Sequence, residues 1–313
     1  MAAVYTGHLM SSLLAPAGSG GSATEFDALL ALLARSRRLL VLTGAGCSTE
    51  SGIPDYRDAD GAWKRQQPVQ YMDFVRSEGV RRRYWARSFA GWDRFWRAEP
   101  NATHRALARL EEASIVHWLI TQNVDGLHQR AGSRRVTDLH GRLDAVQCLA
   151  CRARQPREAF QAALERLNPG WHHAAGVAPD GDADLEGVDF AAFAIPACAA
   201  CGGILKPAVV FFGESVPPDR VASSLARLDE ADALLVVGSS LMVRSGYRFA
   251  TAAADRGIPV AAVNLGRTRA DDLLAVKVAG RCGEVLSQVT AALGLAPIPP
   301  DGDATSAELP TSL

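Results

Sequence analysis

Lysine is nearly missing from this chain. Lys64, Lys206 and Lys277 are the three present, and arginine supplies the rest of the 33 basic residues. That imbalance reads as codon bias rather than function. Net charge is also nearly missing, at −1. No overall field therefore attracts nucleic acid or an anionic membrane. No stretch approaches the ~18 consecutive apolar residues that span a bilayer. The first 23 residues hold Leu13, Leu14 and a Gly/Ser run, but no positive start before an apolar segment. That pattern argues against a secretory signal, and the run lacks the arginines of a mitochondrial presequence. A cytoplasmic location is the expectation. No internal repeat is present, and the GxGxxG spacing of hydride-transfer enzymes does not occur.

What is present suits one large domain and one small one within 313 residues, 48% of them hydrophobic. Phe26 to Ala34 has helical spacing. Leu39-Leu40-Val41-Leu42 is then a short apolar run that stops at Gly44, as a buried parallel strand does on entering a glycine turn. Three further runs end alike. Ile115–Ile120 stops at Thr121-Gln122-Asn123, Ala233–Val237 at Gly238-Ser239-Ser240, and Val260–Val263 at Asn264. Helical patterns such as Thr103–Glu112 and Pro218–Asp229 lie between them. The fold class is therefore α/β, a Rossmann-type doubly wound parallel sheet whose ligands sit outside the carboxyl ends of the strands. Residues 71–100, with Tyr84, Trp85, Phe89, Trp92, Phe95 and Trp96, break the alternation and read as a helical packing module. Residues 146–204 hold four of the six cysteines and read as a small inserted module.

Those four are Cys148, Cys151, Cys198 and Cys201, two Cys-x-x-Cys pairs. Two such knuckles present four thiolates to one structural zinc and leave no open position for a catalytic water. Redox pairs or free thiols are the plainer alternatives. Arg152, Arg154 and Arg157 nearby could form a weak nucleic-acid knuckle, although a solvated face explains them as well.

After the first strand, Gly44 and Gly46 permit a tight turn and close approach to a pyrophosphate. The next glycine is Gly52, and no acidic residue is placed to grip a ribose after the second strand, so hydride transfer is disfavoured. His140 follows the strand-like Val136-Thr137-Asp138-Leu139 and precedes Gly141. Such a histidine can act as a general base near neutral pH, or can simply be structural. Asn123 and Asp125 could hydrogen-bond an amide ligand or serve as turn residues. His104, His117, His128, His172 and His173 carry no better claim from context.

Taken together, GAGCSTESGIPDYR at 44–57, TQNVDGLH at 121–128, LHG at 139–141, the cysteine pairs, KPAVVFFGE at 206–214, GSS at 238–240 and VNLG at 263–266 resemble the sirtuin family. The resemblance covers roughly residues 25–292, and the motif order agrees. It implies an NAD-dependent protein-lysine deacylase that releases nicotinamide and O-acyl-ADP-ribose, with NAD as co-substrate and one structural zinc. It implies that Ala45, Thr49, Pro54, Asp55, Tyr56 and Arg57 line the loop over NAD. Gln122, Asn123 and Asp125 border the nicotinamide pocket with Ile53, Asn123 and Asp125 acting with His140 in catalysis. Gly238, Ser239 and Ser240 hold the phosphate and ribose side. Asn264 and Cys282 lie near the adenosine, with Leu265 and Gly266 beside them. His140 is the implied proton acceptor.

The resemblance further implies acyl-lysine proteins or peptides as partners. The peptide adds as a strand between Phe212-Gly213-Glu214 and Leu241-Met242-Val243, and the acyl group enters an apolar tunnel near Val210, Phe211 and Phe212. YWARSFAGWDRF at 84–95, Tyr56 and the 180–190 segment are similar to the mitochondrial-type branch with bacterial members, not to the desuccinylase branch. That branch implies two alternatives, removal of longer acyl or lipoyl groups and protein mono-ADP-ribosyl transfer. Ser245 stands where many relatives have proline, which implies a looser substrate loop. The expected division is disordered ends at 1–24 and 293–313, an NAD-binding domain from 25–70, 101–145 and 205–292, the helical module at 71–100 and the zinc module at 146–204.

Overall fold

A computed structural model of the chain describes residues 23–64, 68–171, 185 and 187–296. The expected disordered stretches at 1–22 and 297–313, His172, His173 and most of the 180–186 stretch lie outside the described residues. In chain order, the first half contains α1 (Ala23–Arg35), β1 (Leu39–Thr43), α2 (Tyr71–Arg76), α3 (Glu78–Trp96), α4 (Ala102–Glu112), β2 (Val116–Thr121), α5 (Leu127–Arg130) and β3 (Val136–Asp138). Then come β4 (Gly141–Cys148), β5 (Arg154–Pro156), α6 (Arg157–Leu167) and β6 (Leu205–Val209). The last part contains α7 (Pro218–Asp229), β7 (Ala233–Val237), α8 (Arg244–Asp255), β8 (Val260–Val263), β9 (Val276–Val278) and α9 (Cys282–Ala292).

The runs that form β1, β7 and β8 are buried on both faces, which is why polar alternation is missing, while β2 leaves His117 and Trp118 half-buried. In β1, Leu39 and Val41 pack on one side with α1, α4 and α9 residues such as Leu33, Leu107 and Leu286. Leu40 and Leu42 pack on the other with Leu228 of α7 and Phe249 of α8. The six strands are parallel, in the order β3-β2-β1-β7-β8-β9. The chain winds outward from β1 to β3, then restarts at β7 on the other side of β1. The β1/β7 boundary is thus the topological switch point, where the loops diverge and leave a crevice.

Two expectations change. The small antiparallel sheet, ordered β5-β4-β6, runs from Gly141 to Val209, past the expected limits of 146 and 204. The KPAVV segment therefore belongs to this sheet. The aromatic stretch is also not a separate packing unit. Tyr84, Trp85, Trp92 and Phe95 share one core with Phe160, Leu164, Phe193 and Cys148 of the cysteine-bearing module. Trp85 donates its Nε1–H to the Leu205 carbonyl at 3.2 Å. Arg157, expected among exposed arginines, is 1% exposed. Its guanidinium lies 4.6 Å over the Trp92 ring and 5.4 Å over Trp85, so aromatic faces replace water around the charge. Arg152 and Arg154 are exposed as expected.

At the ends, α1 begins at Ala23, inside the stretch expected to be unstructured. Leu293 and Leu295 pack on the main core, so ordered packing continues past residue 292. No helix among the described residues is long and apolar enough to cross a membrane.

Candidate active site

At the switch point the loop after β1 presses against the loop after β7. Gly46 N–H donates to the Gly238 carbonyl at 2.8 Å, and Gly44 N–H to Val237 at 3.1 Å. A Cβ on Gly44 would lie 2.7 Å from Ser239 Cβ, and one on Gly46 2.9 Å from the Gly238 oxygen. The glycines are thus required first by this loop-on-loop contact, with a ligand approaching from the other side. Two short 3-10 turns, 45–47 and 49–51, follow instead of the helix N-terminus that the Gly-x-Gly pattern suggests.

The crevice opens into a cavity of about 1260 Å³. Pockets for single small ligands run to about 1,000 Å³, so this one can hold two partners side by side. Every residue expected at the cofactor, catalytic or substrate site lines it except Pro54. Loops after β1, β2, β3, β7, β8 and β9 converge because the parallel sheet puts their carboxyl ends on one edge, and the antiparallel β6 delivers the 210–214 turn to the same place.

His140 leaves the end of β3 and lies part-buried in the cavity wall. Its Nδ1 is 2.8 Å from the Gln122 carbonyl oxygen. A carbonyl only accepts, so Nδ1 carries the proton and Nε2 the lone pair. Nε2 lies 2.8 Å from Ser245 Oγ, in the first turn of α8. Desolvation lowers the His140 pKa to about 4; the Gln122 bond works against this, and the Arg220 and Arg248 charges add to it. The imidazole is therefore neutral at physiological pH.

Beside it, Asn123 Nδ2 donates to the Gly44 carbonyl and to Ser48 Oγ, both at 3.0 Å. The Ser48 hydroxyl donates onward to Asp125 Oδ2 at 2.7 Å, while Leu127 N–H occupies Oδ1 at 2.9 Å. Burial raises the Asp125 pKa, and these two donors oppose that rise. Gln122 Nε2 reaches Ser239 Oγ at 2.8 Å and so ties the β2 loop to the β7 loop. Beneath this layer, Thr43 Oγ1 donates to Thr121 Oγ1 and stands 2.9 Å from His128 Nε2. His128 in turn packs against His104, ring centroids 4.8 Å apart. Both imidazoles are fully buried, and desolvation holds His128 down at about 3.

The rim is aromatic. Tyr56, Trp63 and Phe212 meet edge to face at centroid distances of 5.5 to 6.2 Å. Arg57 stacks 4.0 Å over Trp63, and Asp55 pairs with Lys64 at 2.5 Å. Leu265 is 69% exposed at the edge of the cavity. On the expected peptide flank, Phe212 already bridges to Gln70, and its carbonyl accepts the Tyr71 N–H at 2.8 Å. Phe211 packs on Phe74 and Tyr84. Lys206 and Glu214, paired at 2.9 Å, brace the intervening turn, since Glu214 also accepts the Phe211 N–H.

At the far end of β4, the sulfurs of Cys148, Cys151, Cys198 and Cys201 lie within 4.8 Å of one another. Cys148–Cys201 and Cys151–Cys198 are 3.5 and 3.7 Å apart. Those lengths approach the ~3.8 Å edge of a tetrahedron with Zn–S of about 2.3 Å and far exceed a disulfide bond. Backbone N–H groups, led by that of Cys151, lower the Cys148 pKa to about 6. Cys151 has a lowering bond from Ala153, yet the neighbouring thiols push it up to about 12. Four thiolates cannot coexist here without a counter-charge, and a dication supplies it. The donor set fits one structural zinc.

Ser48, Trp63, Arg248, the His104–His128 pair and the Lys206–Glu214 brace were not singled out from sequence. Ser48 lies inside the glycine-loop motif, and Lys206 and Glu214 bound the 206–214 motif, so these were open to selection, as was Trp63 close after Tyr56 and Arg57. Arg248 and the His104–His128 pair act through contacts between segments farther apart in the chain, for which spacing offers no signal.

A profile described as the Sir2 family matches residues 44–245. The chain is 59% identical over 267 residues to an NAD-dependent protein deacetylase of Bordetella bronchiseptica, covering 85% of this chain and 97% of the relative. It is 50% identical over 278 residues to the NAD-dependent protein lipoamidase sirtuin-4, mitochondrial, of Homo sapiens, covering 88% of each. A solved structure described as Sir2 with a p53 peptide and NAD+ superposes with a TM-score of 0.70 at 31% identity, covering 86% of this chain and 98% of the other.

Proposed function

The chain belongs to the Sir2 family, and on that premise we propose that it is an NAD-dependent protein-lysine deacylase releasing nicotinamide and O-acyl-ADP-ribose. The observation that carries the reading is the tautomer of His140: a neutral imidazole with its lone pair on Nε2, set in the wall of a cavity large enough for a dinucleotide and an acyl-lysine.

Bound NAD supplies an electrophilic ribose carbon and nicotinamide as its leaving group. The protein positions and shields. The Gly44–Gly46 turn and Gly238-Ser239-Ser240 receive the phosphates and ribose, and Asn264, Leu265, Gly266 and Cys282 the adenosine side. Ile53, Gln122, Asn123 and Asp125 hold the carboxamide end, where the Asn123–Ser48–Asp125 chain fixes donors and acceptors before any ligand arrives. Tyr56, Trp63 and Phe212 keep water from the reacting carbon, without which NAD would hydrolyse. His140 accepts the proton of a ribose hydroxyl.

The partner is an acylated lysine on a protein or peptide, held between the Phe212-Gly213-Glu214 turn and Leu241-Met242-Val243 largely by backbone pairing. No nucleic-acid role is proposed. Cytoplasmic location belongs to the same proposal, since four cysteines grouped as metal ligands rather than joined as disulfides suit a reducing compartment. Removal of lipoyl or longer acyl groups is a second reading, supported by the cavity's size and by the lipoamidase relative.

Incubation with NAD and acetyl-, butyryl- or lipoyl-lysine peptides is expected to release nicotinamide in step with deacylation. The peptide cleaved fastest selects between the two readings. Nicotinamide loss with label on protein points instead to ADP-ribosyl transfer, and no NAD turnover overturns the proposal. His140→Ala is expected to lose about 10² to 10⁴ in rate while calorimetry still shows dinucleotide binding. Full activity in that variant removes His140 from the reaction.

A further inference from the structure

The base assigned above is not bare. Its lone pair is already covered by Ser245. Since Nδ1 spends its hydrogen on the Gln122 carbonyl, the 2.8 Å contact at Nε2 is one in which the Ser245 hydroxyl donates. An imidazole nitrogen offers a single in-plane lone pair. With that lone pair already engaged, a hydroxyl arriving from the cavity, which both residues line, bonds to Nε2 only by displacing Ser245, or else bonds to Ser245 Oγ.

Ser245 is held there by backbone, not chance. It is the second residue of α8, and Gly246 and Tyr247 both donate their N–H groups to the Val243 carbonyl in that first turn. The next residue is a glycine pressed on the other anchor of the imidazole. A Cβ on Gly246 would lie 2.5 Å from Gln122 Oε1. The segment that fixes Nδ1 and the segment that covers Nε2 are therefore packed together, and the ring is clamped between them.

We propose that Ser245 is a proton relay between the ribose hydroxyl and His140. The inference rests on the deacylase reading. As the ribose oxygen bonds to the cationic acyl-derived carbon, the π pair of that carbon's double bond to nitrogen moves onto the nitrogen and neutralises it, the ribose O–H bond breaks, and its proton passes to Ser245 Oγ. Ser245's own hydroxyl proton passes to His140 Nε2 in the same step. Ser245 ends as a neutral hydroxyl and His140 as an imidazolium, so charge and atoms balance. Two protons move instead of one.

The test uses the full chain with its zinc, as parent, Ser245→Ala and Ser245→Thr. First, ¹⁵N-histidine NMR of the unliganded protein reads the contact itself. The Nε2 resonance of His140 is expected to shift toward that of a non-bonded ring nitrogen in Ser245→Ala and to return in Ser245→Thr. Second, single-turnover deacylation is measured in H₂O/D₂O mixtures. The parent and Ser245→Thr are expected to show a curved dependence, the sign of two protons in flight. Ser245→Ala is expected to lose at least about tenfold in rate, with a linear dependence and unchanged affinity for ADP-ribose. An unshifted Nε2 resonance overturns the contact. Parent-like rate and curvature in Ser245→Ala overturn the relay. Neither result touches the deacylase reading, which fails only if His140→Ala turns over NAD and peptide normally.

Discussion

The thiol cluster and the imidazole cavity stand at opposite ends of one strand, and they are built by different means. β4 starts beside His140 and ends at Cys148, so the two centres are separated by about 25 Å of extended chain. β6 returns antiparallel from the second cysteine pair, and Val210, just past its end, donates its N–H to the His140 carbonyl at 2.7 Å. The cluster is local: two knuckles, each complete within four residues. The cavity is distributed over loops from seven strands and has no meaning until both sheets exist. The small sheet is then a strut from a metal-held end to a base-holding end. Gly141 shows how tightly it is built. Its φ is +80°, and a Cβ there would lie 2.1 Å from the Ala208 oxygen of β6. The glycine after His140 clears space for a strand, not for substrate.

The comparison breaks most readily at the metal. Structural zinc binding in small modules is worth about 10 to 16 kcal/mol at neutral pH. Chelation, or Cys198→Ser, is expected to remove one zinc per chain by elemental analysis and to abolish deacylation. Far-UV circular dichroism should fall only in part, because the six-stranded sheet has its own core. Full activity in zinc-free protein would show that the strut does not couple the two ends. A smaller blow at the middle of the strut is Phe160→Ala. This ring is fully buried, 4.4 Å from that of Trp85. Its loss is expected to cost about 3 to 5 kcal/mol in denaturant unfolding. A change below 1 kcal/mol would mean the aromatic helix and the zinc module are independent after all.

The smallest effect separates the imidazoles from the thiols by pH. His128 at about 3 and His140 at about 4 are depressed below the ordinary histidine value. The unfolded chain therefore binds more protons than the folded one between roughly pH 6.5 and 3. Stability is complete above that window and falls as pH drops through it, by about 2 kcal/mol at pH 5 for His128 alone. Guanidinium melts of zinc-loaded protein at pH 7 and pH 5 measure this, and equal midpoints would contradict the burial of these rings.

Much of this was legible beforehand because certain patterns have few physical solutions. Leu39–Leu42 is apolar throughout because both faces of β1 are covered, and four such runs with helical patterns between them point to a doubly wound sheet. Two Cys-x-x-Cys pairs point to one metal site, and their four sulfurs do lie within 4.8 Å of one another. The motifs carried His140, Asn123 and Asp125 to one place, and they do line one cavity. Arg157 went the other way. An arginine near a zinc knuckle reads as exposed, and only the partner rings Trp85 and Trp92, more than sixty residues distant, could show it was buried. Ser245 was visible as a departure from a familiar pattern, but its bond to a histidine 105 residues away was not.

Local rules thus settled the buried strands of the parallel sheet and the spacing of the thiol ligands, because hydrophobic periodicity and ligand spacing act over a few residues, while β4, β5, β6 and β9 left no such run. Tertiary structure alone decided which nitrogen of His140 carries its proton, what covers the other, and that one aromatic core serves two segments thought separate. Those outcomes depend on distances between parts of the chain that only closure of the sheet brings together.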